Sequence, residues 1–500
     1  MADNSPPTTG EATYGNPTRT SIVTGVALFM ISLDNLVVTT ALPQIREGLH
    51  TTIEGLEWTV NAYTLTFAVL LLTASAVAER FGRRRLFSAG IAVFTAGSVL
   101  AALSHGIGLL VAARALQGLG AAVVLPLTLT LLSAAYPPDK RAGALGIWGA
   151  IGGLAVALGP VIGGLIIHVV SWQWIFWLNV PIGIVMLVMI PGWLAESRGP
   201  VRPLDVLGTV LASAGLFGVV LGLVRGNAAG WTSTEVLGSL VGGVVLLAAF
   251  LVQQTRTPAP MLPLRMFRDR TFTAVNAVSL LMYFGMFGSI FLITQFLQEV
   301  QGAGALGAGV RMLSWTGLTL IGAPMGAVLA EKLGGRLIVT LGLALQATGL
   351  VYLALVTDVT GGYAALVPGF VLNGFGMGLF FGPTANLALS AVSREEEGIA
   401  SGANNAIREL GGVFGIAVLA SVFTSQGGYG SPTAFVDGMH AAVWIGAGIV
   451  ALGAIAALFI KDAPKAAVAE APAAETPAAK APASASPAGA DRELALSVDD

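Results

Sequence analysis

Fourteen apolar runs fill the chain between residues 20 and 460, and they restrict its fold more than any other feature. They lie near 20–42, 57–78, 86–104, 108–133, 143–168, 175–194, 206–224, 236–252, 272–297, 306–330, 337–356, 364–392, 400–423 and 438–460. A helix needs about 20 mostly apolar residues to cross roughly 30 Å of hydrocarbon. The seventh and eighth runs are the shortest, but each is uninterrupted. Runs of this length without alternation exclude membrane β-strands. Only 10% of the residues are charged, against about 25% in a soluble domain, so charged side chains cannot coat a globular core. The 65 glycines suit closely packed membrane helices. The expected fold class is an all-α membrane protein with about fourteen transmembrane helices.

Lysine and arginine orient these spans. Loops after even-numbered spans carry fifteen: Arg80, Arg83, Arg84, Arg85, Lys140, Arg141, Arg198, Arg202, Arg256, Arg265, Arg268, Arg270, Lys332, Arg336 and Arg394. Loops after odd-numbered spans carry two, Arg46 and Arg225. The even loops are therefore expected in the cytoplasm, with both termini inside. Residues 1–19 lack the layout of a secretory signal, so the first span is expected to be retained, behind a disordered cytoplasmic N-terminus. Residues 461–500 are rich in Ala and Pro and predict a disordered cytoplasmic tail. The absence of cysteine excludes disulfides and thiolate chemistry, and a net charge of −2 implies no nucleic-acid partner.

The chain repeats itself. Ala78-Glu79-Arg80-Phe81-Gly82-Arg83-Arg84 recurs as Ala330-Glu331-Lys332-Leu333-Gly334-Gly335-Arg336, at an offset of 252 residues. Gln117-Gly118-Leu119-Gly120 recurs as Asn373-Gly374-Phe375-Gly376, at an offset of 256. Both copies run the same way through the membrane, which predicts a parallel repeat about an axis along the membrane normal. The expected organisation is a six-helix bundle at 20–194, a linker with two inserted helices at 195–271, and a second six-helix bundle at 272–460.

Five segments carry a family resemblance: Leu33 to Pro43, Ser75 to Arg84, Arg114 to Gly120, Ala155 to Gly164, and Trp172-Gln173-Trp174-Ile175-Phe176-Trp177-Leu178-Asn179-Val180-Pro181. In this order and on these spans, the chain resembles the major facilitator superfamily, and within it the fourteen-helix drug:proton antiporter branch (QacA/EmrB-like). It departs from the family pattern at Ser75 and Glu79, where Gly and Asp are usual, at Ala155, where the antiporter motif opens with Gly, and at Thr39, near the place of a usual Asn.

Candidate site residues follow. Asp34 is the one acid clearly inside a span, and an ionisable group there is a functional candidate by default. It is either a proton carrier or a structural acid held by hydrogen bonds. Arg114 is expected at a similar depth in the fourth span, where it either pairs with Asp34 or snorkels outward. Gln117 shares its face at i+3. The resemblance implies a proton-coupling role for Arg114 and hence for the group Asp34, Arg114 and Gln117. The repeat places Phe370 at the position of Arg114, so the two halves are not equivalent. The loop residues Glu79, Arg80, Gly82, Arg83 and Arg84 set topology. The resemblance further implies a conformational latch in which Glu79 meets the inner N-terminus of the thirteenth span near Gly398–Ser401, where a helix dipole favours a carboxylate. Gly159, Pro160, Gly163 and Gly164 allow close approach and a bend, and the resemblance marks them as an exporter's antiporter motif.

A substrate cavity is sketched by Glu57, Asn61 and Thr64 on one face of the second span, and by Asn276, Ser279 and Tyr283 on one face of the ninth. Met282, Met286, Phe287 and Phe291 add adaptable apolar surface. On the thirteenth span, Arg408 and Glu409 point in different directions, and either could face the cavity or the interface beside Asn404 and Asn405. Arg311 is shallower and suits snorkelling. Embedded acids do not outnumber embedded bases, so a neutral or anionic substrate fits at least as well as a polycation.

The expected function is proton-coupled antiport that exports small hydrophobic compounds such as drugs, antibiotics or secondary metabolites. The alternative is a proton-coupled importer of a nutrient or metabolite on the same fold. No catalytic cluster supports an enzyme: His50, His105, His168 and His440 have no metal spacing, and there is no nucleotide-binding loop. No cofactor or metal is expected. The expected partners are a small-molecule substrate, protons and the lipid bilayer of the inner cell membrane, around a monomer.

Overall fold

The computed structural model describes residues 16–198, 203–392 and 396–461. Within helices it leaves out the side chains of 72, 75, 76, 79, 138, 139, 141–143, 145, 146, 149, 150, 156, 397 and 398. The expected disordered ends at 1–19 and 461–500 fall almost wholly outside the described residues. Among those described the secondary structure is helical: α1 (Pro17–Leu49), α2 (Ile53–Phe81), α3 (Arg83–Ala102), α4 (Ile107–Ala135), α5 (Pro138–Val169), α6 (Trp174–Trp177), α7 (Asn179–Trp193), α8 (Val206–Ala229), α9 (Thr234–Arg256), α10 (Arg270–Glu299), α11 (Ala305–Leu333), α12 (Gly335–Val356), α13 (Tyr363–Ser390), α14 (Glu397–Gln426) and α15 (Pro432–Ala457). Thirteen spans are long and apolar enough to cross a membrane, with α6 and α7 counted as one. The 29-residue α2, some of whose side chains are not described, is a further long helix beside these thirteen.

Helix ends follow local chemistry. Asn16, Asp205, Ser233, Asp269 and Ser431 cap their helices by accepting a backbone N–H with a side-chain oxygen. The turn from α2 to α3 is made at Gly82 (φ 109°) and the turn from α11 to α12 at Gly334 (φ 96°), a region open to glycine and strained for other residues. These positions are 252 residues apart, so the two copies of the loop motif make the same turn. The second repeated motif also has matching surroundings. A Cβ on Gly118 would strike the Tyr63 carbonyl, and one on Gly374 the Trp315 carbonyl. Small residues there let α4 approach α2, and α13 approach α11, to backbone contact.

α1 departs from expectation. It continues seven residues past the expected end at 42, through Pro43, to a left-handed His50. Pro43 gives up its own N–H bond and crowds the preceding turn, but the helix carries on through Gln44, Arg46 and Glu47.

Packing gives two sets of neighbours. In the first, α4 packs on α2, α3 and α1, α5 packs on α1, and α7 packs on α3. In the second, α13 packs on α11 and α12, while α10 packs on α14 and α15. The sets meet where α5 lies on α11 and α2 on α14. Along α5 and α11 the approach is at backbone distance: Gly164 faces Ala305 and Leu306, Gly309 faces Pro160, and Thr316 Oγ1 donates to the Ala157 carbonyl at 3.3 Å. The end bearing the α1–α2 connection is tied further. Gln44 Nε2 donates to Gln298 Oε1 at 3.0 Å, Gln298 Nε2 donates to the Thr40 carbonyl at 3.0 Å, and the Arg46 guanidinium lies 3.7 Å from the Tyr429 ring centroid.

α8 and α9 pack on each other, and α8 rests on both α2 and α14. Thr73 and Thr209 share a hydroxyl hydrogen bond of 2.7 Å, Arg225 bridges Glu235 at 2.6 Å and Glu54 at 3.6 Å, and Asn227 donates to the Ser421 carbonyl. Asp205 gathers the other end of the pair, accepting from Gly208 N (2.8 Å), Gln253 Nε2 (2.9 Å), Gln254 Nε2 (2.5 Å) and Met261 N (3.4 Å). Burial pushes the Asp205 carboxyl up, but the four donors outweigh it and hold the group below its ordinary value.

Candidate functional site

A buried polar cluster in the first set of helices is built on Asp34. Because α1 runs on to Leu49, Asp34 lies mid-helix rather than near an end. Arg114 sits seven residues into α4. Their side chains are 1% and 0% exposed, and Arg114 Nη1 donates to Asp34 Oδ2 at 2.6 Å. Of the two readings of Arg114, the structure shows the buried pair. Gln117, one turn on, accepts from Arg114 Nη1 at 2.9 Å and donates to Asp34 Oδ1 at 3.1 Å.

Three more residues complete the cluster. Asn179 Nδ2 donates to Asp34 Oδ1 at 2.7 Å, Ser98 Oγ accepts from Gln117 at 2.8 Å, and the Thr59 carbonyl accepts from Arg114 Nε at 3.0 Å. The Tyr63 ring lies 4.3 Å from the guanidinium and covers one side of it. Arg114 Nη2 has no partner. The carboxylate therefore takes three donors from α4 and α7, while α2 and α3 hold those donors in turn. A charge pair with its lone pairs filled survives in a low-dielectric interior. Protonating Asp34 would remove the negative charge that balances Arg114 and force these donors to rearrange.

Asn179 and Ser98 were not among the expected site residues. Asn179 sits in the Trp172–Pro181 segment, at the first position of α7 where the sixth span is jointed, and its place at that joint was the available signal. Ser98 has no comparable mark among the many serines of the spans.

A second cluster lies between α10, α13 and α14. Asn404 Nδ2 donates to Asn276 Oδ1 at 3.1 Å and to Ser279 Oγ at 3.2 Å. Arg408 donates to the Tyr283 hydroxyl and, at 3.2 Å, to Asn405 Oδ1. Its guanidinium lies 4.7 Å from the Tyr283 ring centroid and 5.2 Å from that of Phe381. The structure thus brings Asn276, Tyr283 and Arg408 into one region. Glu409 Oε2 is buried without a hydrogen-bond partner. On α2, Glu57 is 2% and Asn61 0% exposed. Glu57 Oε2 and both terminal atoms of Asn61 have no partner, while Thr64 bonds back to the Val60 carbonyl at 3.2 Å. Arg311 donates to Gln301 Oε1 at 3.1 Å near the start of α11.

The basic loop packs against the segment that follows α7. Glu196, beyond α7, accepts from the Arg84 backbone N–H at 3.1 Å and lies 3.7 Å from both Arg84 Nε and Arg85 Nε. Arg83 N donates to the Ser197 carbonyl at 2.9 Å, and Arg80 lies over the Phe81 ring at 5.5 Å. The Glu79 side chain and Gly398 lie outside the described residues, so the contact expected between them does too. Gly159, Gly163 and Gly164 line the side of α5 that meets α1 and α11. A Cβ on Gly159 would lie 2.7 Å from Leu36 Cβ, and one on Gly164 would lie 2.7 Å from Leu306 Cα. Pro160 stands inside the helix between them.

Comparison with known proteins agrees with this architecture. The sequence matches the Major Facilitator Superfamily over residues 24–416 and again over 278–495. It is 34% identical over 416 residues to the tetracenomycin C resistance and export protein of Streptomyces glaucescens, covering 83% of this chain and 77% of that one. It is 35% identical over 409 residues to the probable actinorhodin transporter of Streptomyces coelicolor, covering 79% and 71% of the two chains. The methylenomycin A resistance protein of Bacillus subtilis is 31% identical over 409 residues, covering 82% and 88%. Among solved structures, the fold resembles a peptide transporter POT with a TM-score of 0.65 at 15% identity, covering 88% of this chain and 93% of that one. It resembles a bacterial homologue of the lysosomal transporter Spinster, in an inward-facing and unoccupied conformation, with a TM-score of 0.64 at 14% identity, covering 90% and 98%. This chain, a multi-pass membrane protein, belongs to the Major Facilitator Superfamily.

Proposed function

We propose that the protein exports small, mostly hydrophobic organic compounds, antibiotics or secondary metabolites among them, in exchange for protons. The observation that carries this reading is the buried Asp34–Arg114 pair, tied by Gln117 and Asn179 across α1, α4 and α7. It supplies a carboxylate whose protonation state decides whether a buried arginine is balanced. The names of the relatives supply the direction, since several are export or resistance proteins.

In this reading residues 20–194 and 272–460 are two bundles that rock about the α5–α11 and α2–α14 seams, and the segment 195–271 carries α8 and α9 as an insertion. The basic loops face the cytoplasm, both termini are inside, and the protein works as a monomer in the inner cell membrane. The α1–α2 end is then the outer end, held shut by Gln44, Gln298, Arg46 and Tyr429. When the outer side opens, a proton reaches Asp34 and neutralises it. Arg114 is then left with Gln117 and the Thr59 carbonyl, which it already holds, and the bundle closes with the proton on board. On the cytoplasmic side the proton leaves, the pair reforms and a substrate is taken up for the next export step. Contacts of Arg84 and Arg85 with Glu196 brace the loop that carries Glu79, the residue assigned here as the latch.

Everted membrane vesicles from cells expressing the chain test the direction. An inside-acid gradient should drive accumulation of a hydrophobic dye inside them, and collapsing the gradient should release it. Dye accumulation in right-side-out vesicles under an inward proton gradient, with none in everted ones, would show import instead.

A further inference from the structure

Two arginines stand deep among the helices, and they are balanced differently. Arg114 is paired with Asp34 at 2.6 Å. Among the described residues, no carboxylate lies within ion-pair distance of Arg408. What holds Arg408 is neutral: the Tyr283 hydroxyl, Asn405 Oδ1 at 3.2 Å, and the ring faces of Tyr283 and Phe381. These groups lower the cost of burying a cation without cancelling its charge. Its Nε is buried and has no acceptor. Arginine stays charged at any physiological pH, so this is a standing positive charge with an unused donor.

The surroundings are aromatic. The Tyr283 and Phe287 rings stack with centroids 5.3 Å apart, and Phe381 meets Tyr283 edge-on at 6.2 Å. Tyr283 is covered, but Arg408, Phe287 and Phe381 are only partly buried. The arrangement offers a cation beside a wall of rings on α10 and α13. Glu409, the next residue on α14, has a buried Oε2 with no hydrogen-bond partner and takes no part in these Arg408 contacts.

We propose that Arg408 anchors the acidic group of a flat, negatively charged aromatic substrate, whose ring lies against Phe287 and Phe381. The reading rests on the export function above and specifies its substrate class. A carboxylate or phenolate takes the unpartnered Nε and a neighbouring Nη of the guanidinium fork, the geometry in which arginine binds anions best. Asn276 and Ser279 on α10 and Asn404 on α14 are bound to one another, which leaves Arg408 as the cationic determinant of the site.

The test uses the full chain in proteoliposomes under one fixed proton gradient, with two flat dyes of opposite charge, fluorescein and ethidium. The wild type should transport fluorescein. Arg408→Gln should lower its kcat/KM about 10–100-fold, the worth of a lost charge-assisted hydrogen bond, and leave ethidium within about twofold. Arg408→Lys should recover part of the fluorescein transport, because it keeps the charge but not the fork. Fluorescein anisotropy with purified protein should show the same loss in binding, independently of turnover. An equal fall for both dyes would make Arg408 a structural residue and overturn the proposal. Wild-type transport of ethidium without fluorescein would overturn the substrate class and leave the export reading standing. Failure to move either dye would refute both.

Discussion

Removing the charge at Asp34 should destabilise the fold and uncouple it from protons, and the two effects can be separated. In Asp34→Asn the side chain stays nearly isosteric, but the Arg114 charge is left without its counter-charge at a position with 0% exposure. Breaking a buried ion pair from one side costs about 3–5 kcal/mol. The amide also presents an N–H2 group to an environment of donors, Arg114 Nη1, Gln117 Nε2 and Asn179 Nδ2, so at least one of them loses its acceptor. Arg114→Gln from the other side leaves a bare carboxylate and should cost a similar amount. The double variant Asp34→Asn, Arg114→Gln removes both charges and should be more stable than either single one, because the penalty belongs to the unbalanced charge rather than to the missing pair. Thermal unfolding in detergent, followed by light scattering or tryptophan emission, gives the order of stability. Dye counterflow without a gradient shows whether the double variant still alternates, and uphill transport under a proton gradient should be lost in all three. A double variant less stable than both single ones, or a single variant as stable as wild type, would refute the balance assigned to this pair.

The α5–α11 seam should respond to bulk. Gly164→Leu would put side-chain atoms into Ala305 and Leu306 and should cost about 1–3 kcal/mol by overpacking; spin labels on cysteines introduced at Glu47 and Thr360, in a chain with no cysteine of its own, should report a longer distance across the α1–α2 end. Gly82→Ala adopts φ 109° at a cost of about 1–2 kcal/mol and brings a Cβ to 2.8 Å from Glu196 Oε1, so it should lower transport through the Arg84 contact while the protein still reaches the membrane, read by dye efflux and by immunoblot. The depressed Asp205 carboxyl gives stability that is fully present above its unfolded value of about 3.9 and lost as pH falls through its lower folded value. The difference in Tm between wild type and Asp205→Asn should therefore be constant above about pH 5 and shrink below about pH 4.

Much of this architecture could be read in the amino-acid order because the bilayer accepts so few solutions. A run such as 272–297 has to be a helix, and the expected runs fall on observed helices, the sixth (175–194) divided between α6 and α7. What stayed hidden depends on where side chains point. The extension of α1 to Leu49 was masked by Pro43 and the polar residues after it, which read as a loop although the backbone continues. Asp34 and Arg114 stood out as charges in apolar runs. Asn179 and Ser98 are small polar groups of kinds common throughout the chain, and only the crossing of α1, α3, α4 and α7 makes them partners. Arg408 and Glu409 could not be told apart on a helical wheel without knowing that α10 and α13 present Tyr283 and Phe381 to one of them. The partner of the basic loop was hidden for a similar reason: Glu196 lies 112 residues from Arg84 and reaches it because α7 packs on α3.

The central claim is that substrate leaves as protons enter through Asp34, and substrate-elicited proton movement tests it most directly. Proteoliposomes loaded with a pH-sensitive dye, with no imposed gradient, should register proton movement opposite to the substrate as soon as substrate is added on one side. The signal should saturate with substrate and vanish in Asp34→Asn, even where that variant still exchanges substrate. Substrate moving through the wild type with no proton movement, or an undiminished proton signal in Asp34→Asn, would contradict the account.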